Sequence, residues 1–232
     1  MLSQARRARN LQLKRGPVTG LLGGSFNPAH AGHRRISLFT IEALQLDEMW
    51  WMVSPGNPLK PRKGMAPLAA RVRSAKAMTR RAPISVTAIE RELGTRYTVD
   101  TLRALKRRYP KRRFVWLMGS DNLAQFHRWK DWRRIAREMP IAVIARPGYE
   151  DDAVASPAMA WLRDHRLSAA RFRNRREWSA PALIELRFDP DPRSATKIRR
   201  ADPDWADGMA GPAPRDEVTH SLITDGSEGL DA

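Results

Sequence analysis

Along this chain the apolar positions alternate between two periods. Short strand-like stretches fall at Val18 to Leu22, Glu48 to Val53, Ile84 to Thr87, Arg113 to Met118, Ile141 to Ala145 and Leu183 to Phe188. Between the first two, Ile36, Leu38, Phe39, Ile41, Ala43 and Leu44 cluster at helical spacing and predict a helix over Gly32 to Leu46. Further helices are expected over Pro67 to Arg81, Thr98 to Arg108, Asp131 to Glu138 and Thr196 to Arg200, while Gly148 to Pro157 reads as a loop. Strands and helices taking turns imply an α/β protein: a Rossmann-like, doubly wound parallel sheet with helices on both faces. Right-handed crossovers then put a ligand crevice at the carboxyl ends of the strands. No internal repeat interrupts the pattern.

The first strand-to-helix turn carries the most chemistry. It reads Gly23-Gly24-Ser25-Phe26-Asn27-Pro28-Ala29-His30-Ala31-Gly32-His33. Gly23 and Gly24 are expected to give backbone freedom and close approach for a ligand. Asn27-Pro28 is a turn pair that ends the loop. His30 and His33 lie one helical turn apart and project from the same face of the first turn. Helix-start N–H groups and the helix dipole favour an anion there, so a polyphosphate would meet donors from the loop, the helix end and both imidazoles. A His-x-x-His pair can also hold a metal, but the chain has no cysteine and no acidic pair close by to complete a site of the usual ligand types. No protein-held metal is therefore expected.

A second cluster lies near the end of the alternating region. Asp189-Pro190-Asp191-Pro192 prevents helix, and Ser194 is a suitable N-cap for the segment after it. Thr196 and Arg199 then share one helical face, bringing a hydroxyl, helix-start donors and a guanidinium together for the far end of a polyphosphate. Read alone, the same residues describe an ordinary capped surface helix with a solvated arginine.

Length and composition narrow the class. The 232 residues suit one medium domain, expected over residues 16–200, with extensions at either end. Residues 1–15 are basic and contain no acid, yet lack the continuous apolar core of a secretory signal; an organelle transit segment shares this composition and stays open. Residues 201–232 are acidic and rich in Gly, Pro, Ser and Asp, which predicts a poorly ordered tail. No apolar stretch approaches the roughly 18 residues that span a bilayer. A cytoplasmic location without membrane attachment is expected. The formal charge of +17, from 42 Lys and Arg against 25 Asp and Glu, suits anionic substrates. Its carriers, among them Arg71, Arg73, Arg80, Arg81, Arg107, Arg108, Arg112, Arg113, Arg133, Arg134, Arg175 and Arg176, are spread as pairs expected on solvated helix exteriors. No nucleic-acid module surrounds them, and no specific nucleic-acid partner is expected.

The order Gly-Gly-Ser-Phe-Asn-Pro-x-His-x-Gly-His resembles the signature of a nucleotidyltransferase superfamily, and Ser194-Ala195-Thr196-Lys197-Ile198-Arg199 resembles its second motif. Superfamily relatives often carry Asp at the place of Asn27. Four middle stretches narrow the resemblance to nicotinate-nucleotide adenylyltransferases. These are Trp51 to Lys60 with its Asn57-Pro58 turn, Arg96-Tyr97-Thr98-Val99-Asp100-Thr101-Leu102, Gly119-Ser120-Asp121-Asn122-Leu123 with Phe126 and Trp129 downstream, and Arg146-Pro147-Gly148. Together they span most of residues 18–200.

That resemblance implies a site. His30, His33, Lys60 and Arg199 would act on the reacting phosphates, with Gly23, Gly24, Ser25, Phe26, Asn27, Asn57, Ser194 and Thr196 around them. Trp129 would stack on a pyridine ring whose carboxylate meets the backbone N–H groups of Thr98 and Lys130, beside Tyr97. Gly119, Asp121, Asn122 and Arg146 would border the nucleotide, although Asp121 also fits a plain capping role and the Arg146 stem a packing one. Packing against Trp132 is the competing reading for Trp129, and simple helix capping is the one for Thr98. The implied reaction joins ATP, carrying Mg2+, to nicotinate mononucleotide. Two competitors stand beside it: a related nucleotidyltransferase using pantetheine phosphate, glycerol phosphate or the amidated mononucleotide, and a noncatalytic nucleotide- or RNA-binding protein. Oligomeric state is open.

Overall fold

The computed structural model describes residues 16–56, 64–145, 150–174, 179–188 and 193–225. Six strands, β1 (Val18–Gly24), β2 (Glu48–Val53), β3 (Ile84–Thr87), β4 (Arg113–Gly119), β5 (Ile141–Ile144) and β6 (Leu183–Leu186), form one sheet in the order β3-β2-β1-β4-β5-β6. Every neighbouring pair is parallel. The helices are α1 (Ala31–Leu44), α2 (Leu68–Thr79), α3 (Ile89–Glu92), α4 (Thr98–Arg108), α5 (Ser120–Gln125), α6 (Trp132–Glu138), α7 (Glu150–Val154), α8 (Pro157–Leu162), α9 (Ala169–Arg173) and α10 (Ala195–Ala201). No described helix is long and apolar enough to cross a membrane.

The strands read as nearly unbroken apolar runs because both faces of the sheet are covered. On β4 the pleat sends Phe114, Trp116 and Met118 into one core with Val99, Leu102 and Leu105 of α4 and Ile135 of α6. Val115 and Leu117 enter the opposite core with Leu44 of α1 and Val72 and Ala75 of α2. These layers are the expected Rossmann-like α/β arrangement.

The short helices are what periodicity does not reveal. α7 occupies part of the stretch expected to be loop, where Ala153 is buried against the core, and Ser156 then caps α8 by accepting from the Met159 N–H at 3.1 Å. Five or six residues are too few to show a helical period.

The expected loose tail is also different. Residues 201–225 lie against α2 and β3, with Trp205 and Ile223 buried. Asp216, 2% exposed, accepts from the Thr87 hydroxyl at 2.9 Å, from the Ala88 N–H at 2.7 Å and from the Val218 and Thr219 N–H groups at 2.8 and 2.9 Å. Glu217 accepts from the Val86 N–H at 2.7 Å and donates its own N–H to the Val86 carbonyl at 3.1 Å. Arg73 of α2 donates to the carbonyls of Met209, Gly211 and Pro212. A few anchors fix the strap, and average composition hides them.

Candidate active site

The sheet order reverses between β1 and β4, which lie side by side. α1 follows β1 into one core and α5 follows β4 into the other, with Phe39 and Leu123 marking the two sides. Diverging helices leave a crevice beyond the strand ends, the usual ligand position in such sheets. The turn from Ser25 to His30 and the Gly119–Asn122 segment border it.

α1 begins with an unusual cap. His30 is its N-cap, and its Nδ1 accepts from the Gly32 N–H at 3.2 Å; His33 Nδ1 accepts in return from the His30 N–H at 3.2 Å. Two histidines thus make the reciprocal box that Ser or Thr and Glu make elsewhere. An accepting Nδ1 places the hydrogen of each neutral ring on Nε2. The ring centroids are 3.9 Å apart. His30 is buried, and His33 leans on Phe26 at 4.9 Å.

The glycines do not supply the special backbone conformation expected of them. Gly23 and Gly24 are the last residues of β1 and neither has a positive φ. The left-handed residue in this turn is Phe26, at φ 47, whose buried ring stacks on Trp51 at 4.9 Å. Glycine is required at 23 because a Cβ there would stand 2.7 Å from the Trp116 ring. Asn27 also turns inward. Its amide donates to the Gly64 carbonyl at 2.9 Å and accepts from the Ala66 N–H at 3.2 Å.

The second motif reaches this turn directly. Ser194 caps α10 by accepting from the Lys197 N–H at 3.2 Å, as expected for that residue type. Arg199 donates from one nitrogen to the Asn27 carbonyl, 172 residues earlier, and from the other to the Thr196 hydroxyl at 3.4 Å. The guanidinium, the Thr196 hydroxyl and the histidine turn therefore belong to one cluster.

Across the crevice, Tyr97 precedes α4, whose first residue is Thr98, and Lys130 Nζ sits 4.5 Å above the Tyr97 ring and 3.3 Å from Asp100. Trp129 packs edge-on to Trp116 at 6.4 Å and to Phe126 at 5.5 Å; Trp132 meets Phe126 and Trp161. Among the described residues, the buried Trp116 Nε1 and His127 Nδ1 have no hydrogen-bond partner. Gly119 ends β4, and Asp121 and Asn122 lie in the first turn of α5. Asn57, Lys60 and Arg146 lie outside the described residues.

Two functional candidates escaped sequence reasoning. Arg71, expected on a solvated exterior, is 1% exposed. Its guanidinium donates to the carbonyls of Ala66 at 2.9 Å, Ser25 at 2.8 Å, Ser54 at 2.7 Å and Pro55 at 3.4 Å. Burial lowers its pKa to about 10, partly offset by Asp225, so it stays charged near neutrality. Glu90 is the second. Burial raises its carboxyl to about 7, against the opposing effect of hydrogen bonds with Ser54 and Thr101. It joins the exit of β2 to the first turn of α4.

Residues 21–201 match the cytidylyltransferase-like family model. A relative from Erythrobacter litoralis, named "Probable nicotinate-nucleotide adenylyltransferase", is 71% identical over 88% of this chain and 94% of its own length. One of the same name from Parvibaculum lavamentivorans is 50% identical over 83% and 96%. Among solved structures, Plasmodium falciparum nicotinic acid mononucleotide adenylyltransferase complexed with NaAD aligns with a TM-score of 0.60, covering 79% of this chain and 83% of that one. At 15% identity that likeness speaks for the fold. The chain belongs to the nicotinate-nucleotide adenylyltransferase family of cytidylyltransferase-like proteins.

Proposed function

We propose that this protein transfers the adenylyl group of ATP to nicotinate mononucleotide, giving nicotinate adenine dinucleotide and pyrophosphate, a step of NAD biosynthesis. The observation that carries the reading is the Arg199 contact with the Asn27 carbonyl, which sets the second motif beside the paired imidazoles. A phosphate oxygen of the mononucleotide attacks the α-phosphorus of ATP as the bond to the β-phosphate oxygen breaks. A phosphate monoester has a second pKa of roughly 6 and is mostly dianionic near neutrality, so the nucleophile needs no general base. The histidines donate and position through Nε2–H. Arg199, with the Ser194 and Thr196 helix start, steadies the departing pyrophosphate end, and Lys60 and Asn57 serve the same phosphates.

Alignment of two bound reactants supplies on the order of 7 to 11 kcal/mol of the barrier reduction, and the fixed donors act on the charge of the transition state. ATP enters as its magnesium complex, the ion screening the phosphates. On the acceptor side Trp129 stacks on the pyridine ring, and the N–H groups of Thr98 and Lys130 meet its carboxylate beside Tyr97. Gly119, Asp121, Asn122 and Arg146 border the adenosine, and Gly23, Gly24, Ser25 and Phe26 line the floor by their backbone.

The test is an acceptor panel. The protein is incubated with ATP, magnesium and, separately, nicotinate mononucleotide, its amide, pantetheine phosphate and glycerol phosphate, and pyrophosphate is measured. Release that is fastest with nicotinate mononucleotide is expected. Faster release with another acceptor reassigns the substrate, and release with none of them rejects the reaction.

A further inference from the structure

Arg71 is a buried cation whose four acceptors are all neutral main-chain carbonyls. Removing a charge from water without a contacting counter-ion is costly, and an apolar side chain would fill the same space more cheaply. A guanidinium does something an apolar group cannot. Its planar fork holds several acceptors in fixed directions at once.

Those acceptors come from three separate segments. Ser25 opens the turn that carries His30, Ser54 and Pro55 form the exit of β2, and Ala66 leads into α2. Other contacts repeat the tie. Ser54 donates its N–H to the Gly24 carbonyl at 2.9 Å, and Ser74, one turn beyond Arg71, accepts from the Ala29 N–H at 3.2 Å. Asp225, at the far end of the strap, accepts from the Ala69 N–H at 2.8 Å and so reaches the same helix start.

We propose that Arg71 is a positioning residue for adenylyl transfer, holding the Ser25–His30 turn in register against Ser54 and Pro55 at the β2 exit so that the paired histidines keep their place at the triphosphate. This rests on the proposed reaction. Arg71 acts through the carbonyls it fixes.

The experiment compares wild type with Arg71→Lys and Arg71→Gln at a temperature well below the melting point of each folded variant. Pyrophosphate release is measured while ATP and nicotinate mononucleotide are varied in turn. A lysine keeps the charge but cannot span four carbonyls. The expected result is a fall in kcat of roughly 10²-fold, the scale for a displacement of about 1 Å in a reacting site. It should appear in the lysine variant too, with the circular dichroism of the folded protein kept. A role in stability alone lowers the melting temperature and leaves kcat of the folded protein unchanged. That outcome in Arg71→Lys overturns the proposal. Wild-type protein that releases no pyrophosphate would instead reject the reaction itself, so the two failures are distinct.

Discussion

Replacing Glu90 by Gln removes a carboxyl whose pKa burial raises from 4.5 to about 7. The folded state therefore holds this proton where the unfolded chain has already lost it. The stability that the protonated group contributes is complete below pH 4.5 and is lost progressively as pH rises to about 7. The full shift corresponds to about 3 kcal/mol, an upper bound because Glu90 keeps part of its surface in water. Glutamine keeps the shape and titrates nowhere in this range. Urea unfolding of both proteins at intervals from pH 4.5 to 8 reads the difference, with titrations common to both cancelling. The stability gained by Glu90→Gln relative to wild type should widen from pH 4.5 to about 7 and then level off. Parallel curves across that interval would refute a buried carboxyl at this position.

Three other outcomes are expected. His30→Ala should lower kcat by roughly 10²-fold to 10³-fold, the scale for one lost transition-state donor, and cost about 1 kcal/mol of stability through the missing cap; an undiminished rate would reject its catalytic assignment. Trp129→Ala should weaken mononucleotide binding more than ATP binding by calorimetry, whereas equal losses would remove the stacking role. Gly23→Ala should cost about 1 to 3 kcal/mol in urea unfolding, because its methyl meets the Trp116 ring at 2.7 Å. A variant as stable as wild type would mean that the ring moves aside freely.

What was legible in the sequence is what depends on near neighbours along the chain. All six strands were, since burial on both faces writes continuous apolar runs, and α4 begins and ends where its periodicity predicts. His30 and His33 were legible as a pair because a three-residue spacing alone puts them on one face. For Gly23 the steric need was not legible, because it is set by Trp116 on the neighbouring strand, and the left-handed backbone expected of the glycines belongs to Phe26. Arg71 resembles any helical arginine until two distant segments close around it. Asp216 was lost in an acidic average, although its burial beside Thr87 and Ala88 depends on one position alone.

Glu217 has a consequence for solubility. β3 is the outermost strand on its side of the sheet, and its outward amides and carbonyls would otherwise offer a pairing template to a second molecule. By occupying both backbone groups of Val86, the residue blocks that template at mid-strand, and its carboxylate, 3.4 Å from the Lys76 ammonium, sets a charged pair where an intruding strand would dock. The C-terminal segment thereby guards the enzyme against edge-to-edge aggregation.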